Sequence, residues 1–155
     1  MSTRTALVTI ALLLLAIAVV SPHGSSSKGP YHADIERTPG VLNPDVTQAN
    51  IDSTICVHGW TKTIRPPTSY TNALKRKQMR EYRVGGSPSD YQEDHLISLE
   101  LGGHPTDPRN LWPEPYPRAS QVDTIENDLN RQVCDGSLTL AEAQIKESAL
   151  KHSQG

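Results

Sequence analysis

The sequence predicts an α+β fold: a single small domain with a β-hairpin followed by a helix at its core, flanking helices and one disulfide. Three observations lead to this prediction. The length of 155 residues is typical of one domain. Residues 90–131 run through two strand-like patterns, separated by turn residues, into a helical pattern. The two cysteines, Cys56 and Cys134, lie far apart and lack the spacing of a metal site.

The N-terminal residues have the pattern of a secretory signal. Ala6 to Val20 is an unbroken apolar run that follows the single charge of Arg4, and it is short for a membrane span. We therefore expect a signal peptide over residues 1–22, a flexible linker over residues 23–37 and the folded domain over residues 38–151. The expected location is secreted or cell-envelope, without a membrane span in the mature chain. An uncleaved N-terminal anchor is the alternative.

Export determines how the two cysteines are interpreted. Disulfides form and persist in oxidising compartments, so Cys56 and Cys134 are predicted to be bonded to each other. Closing so long a loop stabilises a fold by roughly 4–5 kcal/mol on the chain-entropy estimate. A free catalytic thiol is the alternative, but neither cysteine has a histidine in a motif context.

The elements are predicted from apolar periodicity and from turn residues. In chain order they are a short helix, a strand, a helix, two strands and two helices: residues 45–54, 56–67, 69–82, 95–101, 110–112, 121–131 and 140–151. Thr139 and Glu142 have the spacing of a capping box at the start of the last helix. The middle of the chain is therefore a strand, a glycine-rich turn, a second strand and a helix.

Groups capable of catalysis are concentrated in the stretch DYQEDHLISLELGGHPTDPRNLWPEP, from Asp90 to Pro115. A neutral imidazole such as that of His95 can accept a proton from water near physiological pH. The carboxylate of Asp94 is a suitable oxygen ligand for a hard divalent cation. Adjacent residues of a regular strand point to opposite faces, so these two side chains can share one site only at a strand end.

Asp94-His95, Gly102-Gly103 and Asn110-Leu111 in this order resemble the ββα-metal core of HNH endonucleases. From Thr38 to about Gln144 the chain also resembles small exported bacterial proteins with an HNH-like core. The resemblance implies metal-dependent hydrolysis of phosphodiester bonds in DNA or RNA, with little sequence preference. It implies that Asp94 binds the metal, that His95 is the general base, and that Asn110 holds the loop or assists at the metal.

The resemblance leaves one metal ligand unassigned, because HNH proteins usually supply another early in the helix. No histidine lies between Arg118 and Asn130, but Asp123, Glu126 and Asn127 offer oxygen atoms there. The expected ligands are Asp94, Asn110 and Asp123, with Mg²⁺ as the favoured metal and Mn²⁺ or Zn²⁺ as alternatives. Asp123 could instead only complement the helix dipole, which is the commoner use of an early acid.

A basic helix precedes this segment. The chain as a whole is slightly acidic, with 15 Lys+Arg against 17 Asp+Glu, so any case for nucleic-acid binding must be local. Five cations in nine residues could bind a phosphate backbone without reading bases, or could simply form a solvated surface: Lys75, Arg76, Lys77, Arg80 and Arg83.

Two functions remain open from the sequence. One is a secreted HNH-type nuclease. The other is an exported binding or cell-envelope protein that keeps the scaffold without catalysis, with Asp94 and His95 as an ordinary polar pair. In the nuclease interpretation, a polar site at a strand end contributes little to the core, so removing Asp94 or His95 is expected to leave the protein folded.

Overall fold

The computed structural model describes residues 32–153. The expected signal peptide and most of the expected linker lie outside these residues. Two strands form an antiparallel sheet, β1 (Tyr91–His95) and β2 (Leu111–Pro115), and they pair from Tyr91 opposite Pro115 to His95 opposite Leu111. The α-helices are α1 (Trp60–Ile64), α2 (Thr68–Glu81), α3 (Arg118–Cys134) and α4 (Leu140–His152). Mixed helix and strand, with one disulfide, are therefore confirmed.

The sheet lies between helices. Helix α2 packs on both strands, and α3 contacts β2 and α4. Asp94 meets Lys151 of α4 and lies close to Asp123 and Glu126 of α3, while its neighbour Glu93 lies near Lys75 of α2. One apolar cluster joins the helices to the connection between the strands: Val46, Ile55, Ile97, Leu101, Leu129, Val133, Leu140 and Ala143. A second consists of Ala33, Leu96 and Trp112.

The start of the described chain is already packed. Ala33 is buried, and its backbone N–H donates to the Lys151 carbonyl at 2.8 Å. His152 Nε2 lies 2.9 Å from the Thr38 carbonyl oxygen. The segment that leads into the domain is therefore fixed to the end of α4, within the range expected to be linker.

Two sequence predictions about strands are wrong. Residues 56–67 contain α1 and no strand, and the helix begins after Gly59, whose φ of +81° suits glycine. The first strand of the pair ends at His95, where the prediction began it; Leu99–Leu101 instead form a short 3₁₀ helix. The run His95–Leu101 is apolar because it enters the core, and periodicity alone does not separate a buried turn from a buried strand.

The glycine pair between the strands permits a close backbone approach. A Cβ on Gly103 would lie 1.7 Å from the Ile97 carbonyl oxygen and 2.7 Å from Asn110 Nδ2. Gly102 has a φ of +76° and ends the 3₁₀ helix. The connection can therefore fold back on itself beneath the strand ends only with glycine at these two positions.

The disulfide and the capping box are present as predicted. Cys56 and Cys134 are bonded across a separation of 78 residues, which joins the α1 region to the end of α3. The Thr139 hydroxyl accepts from the Glu142 N–H, and the Glu142 carboxylate accepts from the Thr139 N–H. No helix of the described residues is long and apolar enough to cross a membrane.

Candidate functional site

Asp94 lies in a buried cluster of charges between β1, α3 and α4. Lys151 Nζ is fully buried and lies 2.7 Å from Asp94 Oδ2 and 2.5 Å from Glu126 Oε1. The same ammonium donates to the His95 carbonyl oxygen at 2.5 Å, and it lies 3.5 Å from Glu147 Oε1. One cation therefore connects carboxylates from three elements of the fold.

Electrostatic attraction keeps the central pair of this cluster charged although both residues are buried. Burial disfavours the charged form of Asp94, but attraction to Lys151 and hydrogen bonds outweigh it and lower the Asp94 pKa to about 2. Burial likewise disfavours the Lys151 ammonium, yet the surrounding carboxylates raise the Lys151 pKa well above its ordinary value. Asp94 and Lys151 are the ionised pair at the centre.

The other acids of the cluster have raised pKa values, which favour their neutral forms. Burial raises the pKa of Glu147 to about 7 and that of Glu114 to about 8, and it raises the Glu126 pKa well above its ordinary range. Repulsion from Asp94 acts in the same direction on all three. Glu147 is also fixed in place, because both of its oxygens accept from the Ser98 N–H.

Three carboxylates of this region are close enough to hold a metal ion. One oxygen each of Asp94, Asp123 and Glu126 lies within 4.8 Å of the other two. Asp123 and Glu126 are three residues apart on α3 and so share one helix face. Both line a cleft of about 430 Å³, together with Arg65 and Gln92. The structure thus brings together two of the three expected ligands, Asp94 and Asp123, with Glu126 as the third group.

His95 ends β1 and is buried. Its Nε2 lies 3.0 Å from the Pro105 carbonyl oxygen, an arrangement that places the proton on Nε2 and leaves Nδ1 as the acceptor. Burial lowers the His95 pKa, although Pro105 and Asp94 act in the opposite direction. The imidazole is therefore neutral at physiological pH, as a general base requires.

Asn110 holds the connection between the strands. Its Oδ1 accepts from the Ile97 N–H at 2.9 Å, and its Nδ2 donates to the carbonyls of Ile97 and His104, both at 3.0 Å. The Asn110 carbonyl accepts from the Leu96 N–H, so the residue adjoins the end of β1. Both polar atoms of this fully buried side chain are occupied by backbone groups. Of its two expected roles, this geometry fits the one in the loop.

The basic residues differ in how exposed their charges are. Lys75 is half-buried, and its Nζ donates to the Tyr91 carbonyl at 2.8 Å, so it ties α2 to β1. Lys77 lies 3.6 Å from Glu81 on the same helix. Arg76 and Arg80 are exposed one turn apart on α2, and Arg83 is exposed just beyond its end. The three arginines are therefore exposed, and no ion pair joins them to an acid among residues 32–153.

Sequence reasoning missed Lys151. It stands four residues after Glu147 on the last helix, a spacing that usually indicates an exposed ion pair. Its burial depends on residues about 57 positions away in the sequence, such as Asp94. Arg118 was missed in the same way: its Nε donates to the buried Glu114 Oε1 at 3.0 Å. No motif marks either residue.

Comparison of the chain with protein families, with curated proteins and with solved structures gives no match.

Proposed function

We propose that the protein is an exported, metal-dependent nuclease of the HNH type that hydrolyses phosphodiester bonds with little sequence preference. The observation that carries the proposal is the placement of Asp94, Asp123 and Glu126 around one point. Asp123 and Glu126 line a polar cleft, and Asp94 precedes His95 at the end of β1. The proposal of export depends on the apolar run of residues 6–20 and agrees with the disulfide.

The donor set fits a hard divalent cation. All three groups offer carboxylate oxygen, which suits Mg²⁺ or Mn²⁺ better than Zn²⁺, for which imidazole and thiolate are common ligands. When bound, the cation would supply positive charge to the phosphate oxygens. Of the chain's own groups, Asp94, Asp123 and Glu126 would hold it, and His95 Nδ1 would take the proton of the attacking water.

Positive charge on the protein would bind the nucleic-acid backbone. Arg65 lines the cleft with Asp123 and Glu126, and its charge also acts on His95. The exposed arginines of α2 add a second cationic surface on the other side of the sheet. Phosphate contacts of this kind carry no sequence information, so either DNA or RNA could serve as substrate.

The mature protein is expected to nick supercoiled plasmid in the presence of Mg²⁺ or Mn²⁺ and to lose this activity in EDTA. Parallel reactions would contain Mg²⁺, Mn²⁺, Zn²⁺ or EDTA, with RNA as a second substrate. Asp123→Asn is the variant that tests the proposed metal ligands. Asp123 is the most exposed of the three carboxylates, and its replacement leaves the ion pairs of Lys151 with Asp94 and Glu126 in place. Absence of cleavage under all metal conditions would refute the nuclease.

The second candidate is an exported binding or cell-envelope protein that retains this scaffold without catalysis. One observation favours it: Lys151 already supplies a counter-charge to Asp94 and Glu126, as in a polar core that needs no metal. This candidate predicts no metal-dependent cleavage and no change of melting temperature with Mn²⁺. The plasmid assay and a thermal melt with and without Mn²⁺ therefore separate the two functions.

Binding through α2 would depend on salt. Replacing Arg76 and Arg80 with alanine removes two exposed phosphate-binding groups, so the slope of log K against log salt should decrease by about 2 for duplex DNA. Fluorescence anisotropy in EDTA measures binding without cleavage. The matched control replaces Arg131 and Lys146, two exposed cations on α3 and α4. Equal slopes for both variants and the wild type would make α2 an ordinary solvated surface.

A further inference from the structure

Lys151 contacts two of the three proposed metal ligands. Its ammonium takes one oxygen of Asp94, from β1, and one oxygen of Glu126, from α3. The lysine itself belongs to α4 and is fully buried. Asp123, the third carboxylate, has no hydrogen bond or ion pair with Lys151 within residues 32–153 and lies nearer the solvent.

The end of α4 is held firmly in place. Arg118 Nη2 donates to the Leu150 carbonyl at 2.7 Å, and the Ala33 N–H donates to the Lys151 carbonyl at 2.8 Å. His152, the residue after Lys151, lies with its Nε2 2.9 Å from the carbonyl oxygen of Thr38 in the N-terminal segment. The backbone that carries Lys151 is thus bonded to α3 and to the N-terminal segment. These bonds fix the position of the ammonium.

We propose that Lys151 is a positioning residue that sets the affinity of the metal site, by holding Asp94 and Glu126 at the separation that a divalent cation requires. This inference depends on the proposed function. The ammonium lies 2.7 Å from one oxygen of Asp94 and 2.5 Å from one oxygen of Glu126, so it fixes two carboxylates from different elements side by side before any metal arrives. Groups that orient metal ligands typically change metal affinity by about 10–100-fold when they are removed.

The test compares Lys151→Met with the wild type. Methionine keeps most of the side-chain length and removes the charge. We expect the Mn²⁺ concentration for half-maximal plasmid cleavage to rise about 10–100-fold, with the maximal rate largely restored at saturating Mn²⁺. Isothermal titration with Mn²⁺ alone should show the same loss of affinity. Lys146→Met, an exposed lysine on the same helix, is the control and should match the wild type.

The outcomes separate this inference from the proposed function. A wild type that neither binds Mn²⁺ nor cleaves overturns both. A wild type that does both, beside a folded Lys151→Met protein with unchanged or tighter Mn²⁺ binding, overturns the role of Lys151 alone. A lower maximal rate with an unchanged half-saturating Mn²⁺ concentration also overturns it, because that is the result of a smaller folded fraction.

A second measurement needs no variant and applies if Lys151→Met does not fold. The buried ammonium should give a protected ¹⁵Nζ resonance in the wild type. During titration with Mg²⁺, that resonance should shift with the same midpoint as metal binding and should remain protected, because Lys151 keeps its bonds to Asp94 and Glu126. A resonance that does not respond to bound Mg²⁺, or that loses protection, contradicts the proposal.

Discussion

Replacing His95 with alanine should reduce the cleavage rate by roughly 10²–10⁴-fold at saturating metal, the usual contribution of a general base. The imidazole has the required form, since the Pro105 carbonyl binds Nε2 and leaves Nδ1 free to accept a proton. Burial lowers its pKa, which keeps it neutral. Single-turnover cleavage of a labelled duplex measures the chemical step without the contribution of product release.

The pH profile of the wild type provides an independent check on His95. The base is active when neutral, so activity should fall as the pH decreases through the His95 pKa and the imidazole takes up a proton. Because burial lowers that pKa from 6.5, the fall should come below pH 6.5. His58→Ala, at an exposed histidine, is the control. A folded His95→Ala variant with full activity would show that His95 is not the general base.

The order of elements around the site could be predicted from the sequence because local signals specify it. Turn residues separate the two strands. Of the four apolar residues at helical spacing in α3, Val122, Leu129 and Val133 are buried, whereas Ile125 is 41% exposed. The prediction of a strand over residues 56–67 is wrong because a short apolar segment fits helix and strand equally. In the structure, Gly59 precedes a helix that begins at Trp60.

The site was only partly predictable, for a reason of distance along the chain. Asp94 and His95 are adjacent in the sequence, and helix spacing places Asp123 and Glu126 on one face. Nothing local indicates that Lys151 returns to meet them, because that contact depends on how α4 packs against α3 and the end of β1. The resemblance offered Asn110 two roles, and only the folded structure shows its side chain bonded to the loop backbone.

The buried position of Asp94 changes one expectation from the sequence. A polar residue at a strand end was expected to contribute little stability, but Asp94 is only 7% exposed and is paired with a lysine that is fully buried. Its lowered pKa means that this contribution is fully present above about pH 4 and decreases as the pH falls towards 2. The residue is therefore part of the core as well as a candidate ligand.

Asp94→Ala should consequently destabilise the protein by about 3–5 kcal/mol at neutral pH, the usual cost of removing one partner of a buried ion pair. Lys151 would keep Glu126 and Glu147 but lose its one firmly ionised partner. Urea unfolding followed by circular dichroism measures the loss, in EDTA so that metal binding does not contribute.

Asp123→Ala is the control, since Asp123 is the more exposed carboxylate and makes no ion pair within residues 32–153. Both variants should lose Mn²⁺ binding, and only Asp94→Ala should also lose stability. Equal stability of the two variants would mean that the Asp94–Lys151 pair contributes nothing to the fold.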